Sequence, residues 1–234
     1  MSAPPQVPTE VLGWWADGEQ HLGTALGRLT DEDFAAPSLL PGWSRQHLLA
    51  HVARNADALV NLLTWARTGV ETPMYASPEA RDAGIAEAAA LAPAELRAEV
   101  VAATGRLVQA MRALPADAWS AEVRTAQGRT VPAREVPWMR SREVWVHAVD
   151  LAAGLDFADV PGDVLAALAD DVFRMWDRRD QVPDVAVFAG DREWGTGSLA
   201  VAGSLPDVVG WLTGRSDGAG LQADGPLPTP AAWL

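Results

Sequence analysis

The chain has 234 residues, 49% of them apolar and 21% charged, a composition that argues for a globular fold and against disorder. Its 31 acidic residues exceed its 18 basic ones by 13, a balance that repels nucleic-acid phosphates and anionic lipid. Every basic residue is an arginine and cysteine is absent, which excludes lysine Schiff bases, the P-loop lysine, disulfides, thiolate ligands and a thiol nucleophile belonging to the protein itself.

Met1 to Glu10 lacks a basic segment followed by an apolar run, so no secretion signal is expected. No apolar stretch approaches the length of a membrane span, and a cytoplasmic protein is expected. From Thr9 to Leu29 apolar residues recur at helical spacing: Val11, Leu12, Trp15, Leu22, Leu26 and Leu29. Leu40-Pro41-Gly42-Trp43 predicts a turn, with Ser44 as the N-cap of a helix carrying Leu48, His51, Val52, Asn55, Leu59, Leu62 and Leu63 as far as Gly69. Ser77-Pro78-Glu79 is another start signal: a capping hydroxyl, proline in the first turn, then an acid at the positive end of the helix dipole. That helix is interrupted near Pro93 and resumes from Ala94 to Leu114. Trp119 to Thr130, with its alternation and Gly128, predicts a loop or hairpin. A further long helix is expected from Pro132 to Ala153, ended by Gly154.

Four amphipathic segments of about 20 residues fit a four-helix bundle. After a helix over Pro161 to Asp177 the texture changes. Val185–Phe188 and Ser198–Val201 predict short strands, Pro206–Gly214 a short helix, and Gly225 opens an extended terminus. The expected organisation is mainly α: a helical bundle over residues 1–155, then a connecting helix and a small α/β domain over 156–234.

Few residues can carry chemistry. His47 and His51 stand four apart on one predicted helix, and Glu143 and His147 four apart on another, so each pair shares a helix face. Two such pairs facing each other in a bundle can converge on one ion. Nitrogen and carboxylate donors suit zinc, and three protein ligands leave an open position typical of a catalytic site. The spacing equally allows an exposed His47, a hydrogen-bonded core His51, and Glu143 paired with Arg140. Asn55, one turn beyond His51, and Asp150, three residues beyond His147, are candidates to orient an imidazole. Arg140 and Arg142 flank Glu143, where a guanidinium could recognise a carboxylate. Trp138 and Trp145 could wall a site or simply pack in the core. No glycine-rich phosphate loop and no nucleophile elbow is present.

LPGWSRQHLLAHVARNADAL, ETPMYASPEAR and TAQGRTVPAREVPWMRSREVWVHAVDL together resemble the mycothiol-dependent maleylpyruvate isomerases. The resemblance covers nearly the whole chain and is strongest from Leu39 to Leu151. It implies a DinB-like four-helix bundle followed by a small α/β domain, and a divalent zinc held by two histidines and a glutamate. Motif by motif these fall on His51, Glu143 and His147, which leaves His47 outside the ligand set. GSLPDVVGWLTGRSDG matches the region of a functional arginine and points to Arg215. The implied cofactors are zinc and mycothiol. The implied reaction is cis–trans isomerisation of maleylpyruvate to fumarylpyruvate in gentisate-type aromatic degradation. A thiolate adds to the conjugated double bond, the resulting single bond rotates, and the thiolate leaves. A mycothiol S-transferase on the same scaffold and a non-catalytic metal-binding bundle are the alternatives.

Overall fold

The computed structural model describes residues 7–233. The chain divides after Gly154 into two compact units. In the first, helix α1 (Thr9–Arg28) precedes α2 (Arg45–Thr68), the short α3 (Pro78–Ala89), α4 (Pro93–Ala113) and α5 (Val136–Asp150). A two-stranded antiparallel hairpin, β1 (Glu122–Arg124) with β2 (Thr130–Pro132), lies between α4 and α5. The principal helix pairs are α1 with α5 and α2 with α4; α2 also packs on α5, and α3 packs on α2. This is a four-helix bundle of α1, α2, α4 and α5 with α3 attached to its α2 side.

Helix α2 starts and stops as its sequence dictates. Ser44 accepts a hydrogen bond from the backbone N–H of His47 at 3.3 Å, and Gly69 closes the helix in a left-handed conformation, φ +70°. The third segment is two helices, because proline lacks the N–H an uninterrupted helix would need and Pro93 instead begins α4.

The last bundle helix is shorter than its pattern suggests. Thr130–Pro132 is recruited into the hairpin, residues Ala133–Glu135 form a 3-10 turn, and α5 begins at Val136. At the other end it stops at Asp150 rather than Ala153, and Ala152 takes φ +49°. Arg45 donates to the carbonyls of Leu151 at 2.7 Å and Ala152 at 2.9 Å, and Arg28 to that of Gly154 at 2.6 Å. Two guanidinium groups thus satisfy carbonyls that a continued helix would have bonded internally.

All of α5 except Trp138 and Glu143 is buried, which makes it the central rib of the bundle. Gly18 on α1 permits this. A Cβ there would stand 2.7 Å from Val144 Cγ2 and 2.8 Å from Trp145 Nε1, so only glycine allows the two helices so close. Trp145 is 3% exposed and donates to the carbonyl of Trp14 at 2.8 Å. Trp138 meets the Trp14 ring edge-on at 5.9 Å. Both contacts join α5 to α1, one by a hydrogen bond and the other by ring packing.

The second unit contains helix α6 (Gly162–Arg178), helix α7 (Leu205–Leu212) and a four-stranded sheet. Its strands are β3 (Val185–Ala189), β4 (Arg192–Trp194), β5 (Leu199–Ala202) and β6 (Gln222–Ala223), in the order β4-β3-β5-β6. Strands β3 and β5 are parallel and the outer pairings antiparallel. Strands β4 and β6 are too short to leave a pattern in the sequence. Among the described residues no helix is long and apolar enough to cross a membrane.

Candidate metal centre

The i, i+4 spacing on α5 stacks His147 one turn beyond Glu143, and the contact of α5 with α2 brings His51 opposite them. His51 Nε2 lies 3.1 Å from Glu143 Oε2, and His147 Nε2 lies 3.3 Å from the same oxygen. One ligand atom from each of the three residues falls within 4.8 Å of the others. The side chains are 11%, 11% and 9% exposed for His51, Glu143 and His147, so the cluster is recessed yet reachable.

These residues fit a zinc ion. Two donors about 2.0–2.1 Å from a tetrahedral zinc stand roughly 3.3 Å apart, the spacing that separates Glu143 Oε2 from each imidazole here. Two imidazoles and a carboxylate form a borderline-soft donor set, and three ligands leave a fourth position open.

His147 is held from both sides. Its Nδ1 lies 2.8 Å from Asp150 Oδ2, and Asp150 is fully buried. Burial pulls the imidazolium down, but hydrogen bonds and charge from Asp150 and Glu143 outweigh it and lift His147 to about 9. Burial raises the Glu143 carboxyl, yet hydrogen bonds from His147 and His51 hold it well below the usual range. Burial dominates at His51 and lowers it against the pull of Glu143.

Around this cluster the structure sorts the remaining candidates. His47 is exposed and its Nδ1 bonds to Ser44 Oγ at 2.8 Å, so it belongs to the helix cap. Asn55 turns away from the imidazoles, and its Oδ1 accepts from Arg140 Nη1 at 3.1 Å. Arg140 does not pair with Glu143. It is fully buried and donates to Glu19 Oε1 at 2.8 Å, to the Val52 carbonyl at 2.8 Å and to Thr104 at 3.3 Å, tying α5 to α1, α2 and α4. In the second unit, Arg215 follows α7 and donates to the Thr213 carbonyl at 2.6 Å.

Two residues at the cluster carry no spacing signal. Arg81 Nη2 lies 3.5 Å from His51 Nδ1, and its guanidinium sits 5.9 Å from the centre of the Tyr75 ring. Burial, and then the charge of Glu143, push the Tyr75 phenol up to about 12, so it remains a hydroxyl donor at neutral pH. The ETPMYASPEAR stretch contains both, but only the turn capped by Ser77 and the docking of α3 on α2 bring them here.

The sequence profile of the mycothiol maleylpyruvate isomerase N-terminal domain matches residues 4–152. Two solved structures align over 100% of this chain and 100% of their own, at 41% identity and a TM-score of 0.92. One is a crystal structure of the mycothiol-dependent maleylpyruvate isomerase and the other is of a variant with a histidine replaced by alanine. No curated protein sequence matches the chain significantly.

Proposed function

The chain belongs to the mycothiol maleylpyruvate isomerase family, and we propose from this that it isomerises maleylpyruvate to fumarylpyruvate with mycothiol, at a zinc held by His51, Glu143 and His147. The observation that carries the metal reading is the convergence of those three side chains from two helices to within 4.8 Å. Bound here, zinc would supply the Lewis acidity that keeps a thiol ionised at neutral pH or polarises a substrate oxygen, and mycothiol the reversibly adding sulfur that a cysteine-free chain lacks.

The protein's own groups prepare that chemistry. Glu143 is an anion throughout the physiological range and offsets cationic charge between two imidazoles. Asp150 accepts a hydrogen bond from His147 Nδ1–H, which directs the Nε2 lone pair toward the cluster. Arg81 places its guanidinium beside His51, and Tyr75, whose pKa is pushed up to about 12, contributes a neutral hydroxyl. Both suit a substrate that carries two carboxylates and accumulates negative charge as its double bond loses character. We assign Arg215 a similar role toward the substrate's negative charge, on the strength of its motif. The protein's place is then in aromatic-ring degradation of the gentisate type.

The test is incubation of zinc-loaded protein with maleylpyruvate, with and without mycothiol. Fumarylpyruvate is expected only with the thiol, which is recovered unchanged. Equal formation without thiol overturns the thiol requirement. Consumption of mycothiol into a stable conjugate, with no fumarylpyruvate, identifies a transferase instead.

A further inference from the structure

Beside the metal-ligand cluster, within the first unit, lies a cavity of about 540 Å³ between the end of α2, the start of α3 and the β1–β2 hairpin. Arg81 and Tyr75 form part of its wall. Arg81 also reaches the cluster, at His51 Nδ1, with its guanidinium 5.9 Å from the centre of the Tyr75 ring. The cavity therefore adjoins the candidate metal centre through a shared wall.

Its lining mixes chemistries. Trp65 and Tyr75 offer aromatic rings, Arg124 and Gln127 offer donors, and Glu71 offers a carboxylate. Arg124 Nη1 and Glu71 Oε1 stand 4.0 Å apart and both side chains are 59% exposed, so neither is committed to a tight pair. A small dianion selects a compact cluster of cations, whereas a polyol selects interspersed donors and acceptors with aromatic surfaces for its C–H faces. The volume also lies in the range that encloses a drug-sized ligand, well above the needs of a six- or seven-carbon acid.

We propose that this cavity seats the carbohydrate portion of the thiol cofactor, with the sulfur reaching past Arg81 and Tyr75 toward His51, Glu143 and His147. This inference rests on the mycothiol reading above. Mycothiol carries its cysteine on an amino sugar joined to inositol, so a polyhydroxylated body must lie beside any centre that takes its sulfur. Glu71, Arg124 and Gln127 hydrogen-bond the hydroxyls, and Trp65 and Tyr75 pack against the rings.

Calorimetric titration of the zinc-loaded protein with S-methylmycothiol tests this, because the blocked sulfur removes thiolate binding and turnover from the measurement. The wild-type chain is expected to bind it at least tenfold more tightly than S-methyl-N-acetylcysteine, which lacks the sugar. Ala76→Trp, at an exposed wall residue, fills the space and weakens S-methylmycothiol at least tenfold, leaving zinc content and the affinity for the truncated probe unchanged. Gln127→Ala, on the exposed hairpin turn, serves where the larger variant misfolds and weakens binding about threefold. Unchanged affinity in the folded variants overturns the inference, as does equal affinity of the wild type for the two probes. Binding with these expected differences in a protein that forms no fumarylpyruvate upholds the cavity assignment and overturns only the isomerase reading.

Discussion

His147 and Asp150 are joined Nδ1 to Oδ2 at 2.8 Å, one turn apart on α5, with the carboxylate fully buried. A neutral imidazole in that contact keeps its proton on Nδ1 and presents Nε2 to the cluster. The charged form instead donates from both nitrogens, to Asp150 and to Glu143. The same pair thus orients a ligand and stabilises its protonated state in the absence of metal.

Removing either carboxylate separates these roles. Asp150→Ala is expected to weaken zinc binding about 10–100-fold through loss of the orienting bond. Glu143→Gln, which removes the anionic donor itself, weakens it further. Competition with a chromophoric chelator measures both, and unchanged affinity in Glu143→Gln would remove it from the ligand set.

The metal-free protein carries a pH signature. His147 titrates near 9 when folded against 6.5 as reference, so the folded state binds the extra proton between these values. The stabilisation is complete below pH 6.5 and is lost as pH rises through about 9. Glu143 and Asp150 on α5 and His51 on α2 are the groups facing it, and His51, with its pKa lowered, is already neutral across this window. Thermal unfolding of metal-free protein should show a falling midpoint from pH 6.5 to 9, and His147→Gln should flatten that slope.

Arg140 predicts a stability effect. Its guanidinium is fully buried against a Glu19 side chain that is 15% exposed, so Arg140→Met leaves a carboxylate without its partner. The expected loss is about 3 kcal/mol in urea unfolding. The double variant with Glu19→Leu should recover the share due to the stranded carboxylate, while the Val52 carbonyl and Asn55 Oδ1 remain without their donor.

Arg215→Ala should lower turnover by roughly 100-fold, the scale of losing one charge-stabilising donor, with zinc content unchanged. Steady-state kinetics and metal analysis on the same preparation check this; loss of zinc would make Arg215 structural.

Much of the bundle is legible without coordinates, because its signals are local. Ser44 and Gly69 bracket α2, Ser77 caps α3, and Pro93 begins α4. Each is a backbone hydrogen-bonding requirement that a residue and its near neighbours meet or fail. Spacing likewise places Glu143 and His147 on one face of α5. The ends of α5 escape such reading, since distant groups set them: β1 captures Thr130–Pro132, and Arg28 and Arg45 take the carbonyls beyond Asp150.

Sequence alone therefore determined the helical bundle and the pairs of candidate donors, and its family motifs pointed to His51 rather than His47 as the proposed ligand. Only the tertiary structure decided that Arg140 serves Glu19 rather than Glu143, that Asn55 serves Arg140, and that Arg81 and Tyr75 stand beside the cluster. Periodicity reports which face of a helix a residue occupies. Which charge answers which across 121 residues, as Glu19 answers Arg140, depends on packing that brings separate helices together, and no local pattern encodes it.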